Sequence, residues 1–150
     1  MNRTEFIEQA KAAAREMSAT SGFPAGITVA QAALESNWGQ SQLSRTCQNY
    51  FGIKAHGKHA VMEFRTSEFD VCGEQAVVAK FAVYGSMKEC FDCREHLIGN
   101  GTAYEAARKA KDDPEKFARA LAQHWATDPR YAEKLLKVYR ENGFDALDVK

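Results

Sequence analysis

Apolar positions recur with a helical period at both ends of the chain and with a period near two in the middle. Phe6, Ile7, Ala10, Ala14 and Met17 fall on one stripe, which predicts a helix over residues 3–18. Ser21 to Gly26 breaks it with Gly22, Pro24 and Gly26. Thr28 and Gln31 have the spacing of a capping box and predict the start of a short, apolar second helix that Gly39 closes. Ser41 to Arg45 predicts no more than a helical turn. Between Ala60 and Tyr84 the period changes. Val61 to Phe69 and Gln75 to Tyr84 read as two strands, with Asp70 to Glu74 as the hairpin loop around Gly73.

Helical spacing then returns. Ser86 with Glu89 predicts a capped helix to about Ile98, stopped by Gly99-Asn100-Gly101. Thr102 with Glu105 predicts a third capping box and an Ala-rich helix to about Ala110. Asp113-Pro114 places a cap before a proline at the first helical position, and Phe117, Leu121 and Trp125 stripe the helix that follows. Asp128-Pro129 repeats the device ahead of Tyr131, Leu135, Val138 and Tyr139, as far as Gly143. The sum is a mostly helical α+β domain over residues 1–150, with one small hairpin lobe and no repeat or linker.

Bulk properties narrow the partners. The chain has 150 residues, 45% hydrophobic and 27% charged, enough for one real core. Its 20 basic and 20 acidic residues cancel, which argues against nucleic acid, since phosphate binding wants a basic surplus. No apolar run approaches the roughly 18 residues of a membrane span. The N-terminal stretch reads as an amphipathic helix and not a signal peptide. The expectation is a monomer, either made in the cytoplasm and released or cut from a longer exported protein. Cys47, Cys72, Cys90 and Cys93 read as reduced core thiols. Cys90, Cys93 and His96 share a helix face, so zinc is the rival reading, and disulfides need an oxidising compartment. No metal or cofactor is expected.

The chemistry concentrates between Thr28 and Ala55. Glu35 closes an apolar helix, where the backbone dipole is negative and Leu34 and Trp38 can exclude water. Both effects raise a carboxyl pKa, and a carboxylic acid still protonated near neutrality is what a general acid for glycosidic cleavage requires. A second carboxylate is usually needed. Glu68 on the first strand is the first choice and Glu63 the rival, and their odd separation puts them on opposite faces of a regular strand. Trp38, Tyr50, Phe51, Trp125 and Tyr131 are candidates for stacking on sugar rings, although Phe51 and Trp125 also fit a core. Lys54 reads as a structural or substrate-orienting cation. No nucleophile elbow or phosphate loop is present.

Ala33-Leu34-Glu35-Ser36-Asn37-Trp38-Gly39-Gln40-Ser41, followed by Asn49-Tyr50-Phe51-Gly52-Ile53-Lys54-Ala55, closely resembles the signature of the glucosaminidases, glycoside hydrolase family seventy-three, which includes flagellar-rod peptidoglycan hydrolases and autolysins. Thr66-Ser67-Glu68, Lys80 to Ser86 and Ala126-Thr127-Asp128-Pro129-Arg130-Tyr131-Ala132 resemble further blocks of the family in the same order. The resemblance implies a lysozyme-like fold with a mobile β-lobe over a groove for peptidoglycan glycan strands. It implies cleavage of the β-1,4 bond between N-acetylglucosamine and N-acetylmuramic acid, with Glu35 as general acid and Glu68 as the second glutamate. Trp38, Asn49, Tyr50, Phe51, Lys54, Thr66, Trp125 and Tyr131 then become the substrate-binding set.

Two positions depart from the family pattern. Trp125 stands where the family usually has the Tyr of Tyr-Ala-Thr-Asp-Pro, and Phe81-Ala82 stands for Phe-Arg. A tryptophan stacks and donates from its ring nitrogen, but it is no phenol. The competing readings are a muramidase of lysozyme type, a wall-binding module without turnover, and an assembly protein.

Overall fold

The structure is a computed structural model that describes residues 1–57, 60–70 and 73–149, with residues 66–70 and 73–76 described by their backbone alone. Seven helices and one hairpin are described: α1 Arg3–Ser21, α2 Ala25–Ser36, α3 Gln42–Cys47, β1 Ala60–Asp70, β2 Gly73–Val83, α4 Met87–Asn100, α5 Glu105–Lys109, α6 Pro114–Trp125 and α7 Tyr131–Glu141. Short 3₁₀ turns at Thr102–Tyr104 and Phe144–Asp148 complete the chain.

Helix α2 is the axle. Ten of its twelve residues are buried, so it has no polar face to offer solvent. Helices α1 and α7 and the C-terminal 3₁₀ turn all pack on it. Its start differs from the sequence expectation. Pro24 is its N-cap and supplies no side-chain bond, and Thr28 lies inside the helix with its hydroxyl donating to the Pro24 carbonyl at 3.2 Å. The missing cap arrives from the far end of the chain: Asp148 Oδ1 accepts from the Gly26 N–H at 2.9 Å. Gly26 has to be glycine, because a Cβ there would lie 2.2 Å from the Phe144 carbonyl oxygen.

The other end of α2 is wound tightly. Asn37, Trp38 and Gly39 are all left-handed (φ 49°, 59° and 78°). Two such residues in succession without glycine store strain, and packing must hold it. Ser36 does part of this, donating to the Ala32 carbonyl at 2.6 Å and accepting from the Gly39 N–H at 2.8 Å. The Trp38 ring does the rest, lying 6.4 Å from Phe6 and 6.0 Å from Phe144, with the Arg3 guanidinium 3.6 Å from its centroid.

Most other element expectations hold in kind and shift at their ends, but α3 exceeds one turn and Asp128-Pro129 does not cap α7. That helix starts at Tyr131 with Arg130 as N-cap and no side-chain cap, because Asp128 Oδ1 accepts from the Arg130 N–H at 2.8 Å ahead of the helix. Helix α1 has a capping box of Asn2 and Glu5 ahead of the stripe. Ser86 caps α4 through the Glu89 N–H, while the Glu89 carboxylate turns back to the Gly85 N–H. Thr102 does not cap a helix; a 3₁₀ turn precedes α5 there, without a side-chain cap. Asp113 caps α6 as expected. The strands run closer to the turn than Asp70–Glu74 as a loop allows, because antiparallel pairing continues unbroken from Ala60↔Val83 to Asp70↔Gly73.

The hairpin leaves the helical body at its base. Val61 and Val78 are 50% and 57% exposed, whereas Ala82 and Tyr84 are buried. Asn49 ties that base down. Its amide nitrogen donates to the Ile53 and Ala82 carbonyls at 2.8 and 3.0 Å, and its oxygen accepts from the Ile53 N–H at 3.1 Å.

Candidate active site

Glu35 sits in the last turn of α2, half-buried, where the axle reaches the foot of the hairpin. Its Oε1 accepts a hydrogen bond of 2.7 Å from the Tyr131 hydroxyl at the first turn of α7. Burial pushes the Glu35 carboxyl above its ordinary range, and the Tyr131 bond pulls part of the way back. Burial likewise pushes the Tyr131 phenol up, and the adjacent carboxylate adds to it, so Tyr131 keeps a proton to donate toward Glu35. The second oxygen, Oε2, faces Gly52: a Cβ at that position would stand 3.7 Å from it. Gly52 is left-handed (φ 68°) and forms the apex of the Asn49–Lys54 turn.

Beside Gly52 runs an open groove of about 370 Å³ lined by Lys54, His56, Leu97, Tyr104 and Trp125. Trp125 is half-buried there, edge-on to Phe51 at 6.3 Å and tilted against Tyr104 at 6.2 Å. Two larger hollows, about 490 and 610 Å³, follow α4; none of the three has Glu35 in its wall, and it is Gly52 that joins the acid to the smaller groove. The acid, and not the size of a hollow, marks the site.

The predicted residues separate into two groups. Lys54 and Trp125 line the groove, with Lys54 exposed at its wall, and Glu35 is bonded to Tyr131 behind Gly52. Tyr131 is 5% exposed with its hydroxyl on Glu35, which corrects its reading as a ring for sugars to stack on. Trp38, Asn49, Tyr50 and Phe51 belong to the site's support, which corrects their reading as sugar contacts. Asn49, Tyr50 and Phe51 are 1–3% exposed and leave no surface for a ligand. The Tyr50 hydroxyl is spent on Gln48 at 2.8 Å, Phe51 stacks on Phe91 at 4.9 Å, and the Trp38 ring is covered by Arg3. The side chains of Thr66 and Glu68 lie outside the described residues; their backbone pairs with Val77 and Gln75 in the hairpin. Glu63 is exposed and 3.9 Å from Lys80.

The phenol at the acid belongs to Tyr131, so Trp125 in place of a tyrosine does not remove it. Sequence reasoning missed what lies behind Tyr131. Gln31 donates to its oxygen at 3.3 Å and accepts from Arg94 at 2.6 Å. Arg94 is completely buried on the apolar stripe Cys90, Phe91, Ile98 of α4, and a cation on such a stripe is the signal that would have found it.

Cys47 and Cys90 are buried core thiols, and Cys93 is partly buried. Cys90 is buried, accepts from the Tyr50 N–H at 3.4 Å and is pushed up to about 12 by burial. Cys93 accepts from the Tyr84 hydroxyl at 3.1 Å, and Cys72 lies outside the described residues. Among the described residues no three His, Cys, Asp or Glu side chains converge as a metal site.

A helical body with a small β-hairpin and a half-buried acid in the last turn of its central helix defines a lysozyme-like fold. The model of the Glucosaminidase family, described as mannosyl-glycoprotein endo-beta-N-acetylglucosaminidase, matches residues 11–144, and the chain belongs to this family. It is 38% identical over 143 residues to the peptidoglycan hydrolase FlgJ of Escherichia coli, covering 91% of this chain and 45% of FlgJ. It is 33% identical over 129 residues to the exo-glucosaminidase LytG of Bacillus subtilis, covering 81% of this chain and 45% of LytG. The chain thus spans about half the length of these relatives. The catalytic domain of the autolysin Auto from Listeria monocytogenes superposes with a TM-score of 0.85 at 27% identity, over 97% of this chain and 87% of that one.

Proposed function

We propose that this chain is a single catalytic domain that hydrolyses peptidoglycan glycan strands at the β-1,4 bond between N-acetylglucosamine and N-acetylmuramic acid. The observation that carries the reading is Glu35: a half-buried carboxyl with its pKa raised, one oxygen held by Tyr131 and the other turned to Gly52 beside the groove. Such a group keeps its proton closer to neutrality than a solvated carboxylate does and can hand it to a departing sugar oxygen. Trp125 offers an aromatic wall and Lys54 a cation along the groove. Glu68 of β1 is taken as the second carboxylate, serving as base or as stabiliser of the oxocarbenium-like transition state, and Thr66 of the same strand belongs to the substrate-binding set. Hydrolysis then follows one of two routes. Glu68 activates water with inversion, or the acetamido group of the substrate assists and Glu35 is the one indispensable acid. The protein acts as a monomer at the cell wall, without nucleic acid. Among the described residues no helix is long and apolar enough to cross a membrane.

The test is clearing of purified cell walls by the protein and by Glu35→Gln, with the new reducing ends identified. General acid catalysis is worth about 10²–10⁴-fold, and the variant should lose at least that. Equal clearing by both would reject Glu35. Wall pelleting without clearing by either would make the chain a binding module. Muramic acid at the new reducing ends would make it a muramidase. Glu68→Gln should slow clearing more than Glu63→Gln, and the reverse order would reassign the second carboxylate.

A further inference from the structure

Arg94 is 0% exposed, a cation sealed between α4, α2 and the Phe51 ring, whose centroid lies 5.3 Å from the guanidinium carbon. Its Nε donates to Gln31 Oε1 at 2.6 Å, and its Nη1 donates to Thr28 Oγ1 and Glu95 Oε2, both at 2.9 Å. A guanidinium has donors and no acceptor. Gln31 therefore meets it with the amide oxygen, and the amide NH₂ is turned to the opposite side. There it lies 3.3 Å from the Tyr131 oxygen, to which it can only donate. With its oxygen taken as an acceptor, Tyr131 sends its single proton to its other neighbour, Glu35 Oε1, at 2.7 Å. One buried cation thus sets the direction of three successive hydrogen bonds. Because Oε1 receives a proton from outside, the carboxylic proton of Glu35 rests on Oε2, the oxygen facing Gly52.

We propose that Arg94 is a positioning residue for the acid: through Gln31 and Tyr131 it decides that Glu35 presents its proton on Oε2, toward the groove. The inference rests on the reading of Glu35 as general acid. Without the cation, the Gln31 amide is free to turn its oxygen to Tyr131. The phenol would then donate to Gln31, and Glu35 would lose its donor. The charged and ionisable groups facing this chain are Tyr131 of α7, Glu95 and Cys90 of α4, Tyr104 of the 3₁₀ turn, and Lys54 across the groove. Position 68 of the hairpin has its side chain outside the described residues.

The experiment is a ¹³C-carboxyl NMR titration of Glu35, read beside the pH profile of wall clearing. Arg94→Met alone would strand Glu95, which is 7% exposed, so Arg94→Met is combined with Glu95→Leu. Gln31→Glu is the second variant: it keeps Arg94 paired and replaces the donor facing Tyr131 with an acceptor. Either change should raise the Glu35 midpoint by about half to one pH unit, the worth of one ordinary hydrogen bond. The basic limb of clearing should move up with it. Each is repeated on a Tyr131→Phe background, where the relay is already cut and the additional shift should vanish. A shift of undiminished size on that background would mean that charge acts directly through space, and the proposal would fall. So it would if the midpoint stayed put in folded Arg94→Met/Glu95→Leu or Gln31→Glu protein, which would leave Arg94 a structural cation. The titration needs no turnover. A protein that clears no wall yet shows the coupled shift would fail as a hydrolase and keep the relay.

Discussion

The sharpest consequence of the site concerns two glycines with nearly the same left-handed φ and different neighbours. Gly52 has φ 68° and Gly143 has φ 70°. A Cβ at Gly52 would lie 3.7 Å from Glu35 Oε2, and a Cβ at Gly143 would meet nothing within 4 Å. Alanine at either position must hold a left-handed conformation, at about 1–2 kcal/mol. Stiffening of the unfolded chain offsets about 0.4–1 kcal/mol of that. Each variant should therefore lose no more than about 1.6 kcal/mol, or at most roughly 6 °C in Tm for a chain of this size. Activity separates them. A leaving-group oxygen must come within about 2.6–3.2 Å of the acid. The new methyl in Gly52→Ala occupies the flank of Oε2 from which that approach is made. A displacement of about 1 Å costs on the order of 10²-fold. Gly52→Ala should clear cell walls about 10–100-fold more slowly, and Gly143→Ala at the parent rate. Both are assayed well below their melting points, with folded fractions checked by circular dichroism. Equal clearing rates would mean that substrate does not reach Glu35 past Gly52, and the assignment of Oε2 as the delivering oxygen would be wrong.

Two further outcomes follow from the same geometry. The folded-state pKa of Glu35 is raised above its unfolded value, so its favourable contribution is complete below the unfolded pKa and is lost as pH rises through the folded pKa. Glu35→Gln should therefore melt progressively higher than the parent as scanning calorimetry moves from acid to neutral pH; a constant difference would deny the burial of this charge. Asp148→Ala removes the cap of α2 and the partner of the Tyr139 hydroxyl at 2.8 Å. It should lower stability by about 1–2 kcal/mol in urea unfolding, and an unchanged midpoint would show that water caps the helix as well.

Legibility in the sequence followed the range of the forces involved. Element types were readable because periodicity and turn chemistry are local: Phe6, Ala10 and Met17 announce α1, and Asp113-Pro114 announces α6. Glu35 was readable because its apolar neighbours and the helix stop lie within a few residues of it. The start of α2 was misread because Thr28 and Gln31 mimic a capping box, while the true cap comes from Asp148, 122 positions away from Gly26. Asn49, Tyr50 and Phe51 have the composition of a binding surface, but burial turned them into scaffold, and the Arg3 guanidinium covers the Trp38 ring.

Helices around one hairpin, and an apolar helix ending in Glu35, follow from contacts a few residues long, and so are written in the order of the residues. What holds that acid is fixed by packing alone. Tyr131, Gln31 and Arg94 come from three different helices; Tyr131 reaches Glu35 across 96 positions, and the two bonds among the three span 100 and 63. Hydrogen-bond direction is a property of partners in space. No spacing along the chain encodes it, and it exists only once α2, α4 and α7 have packed.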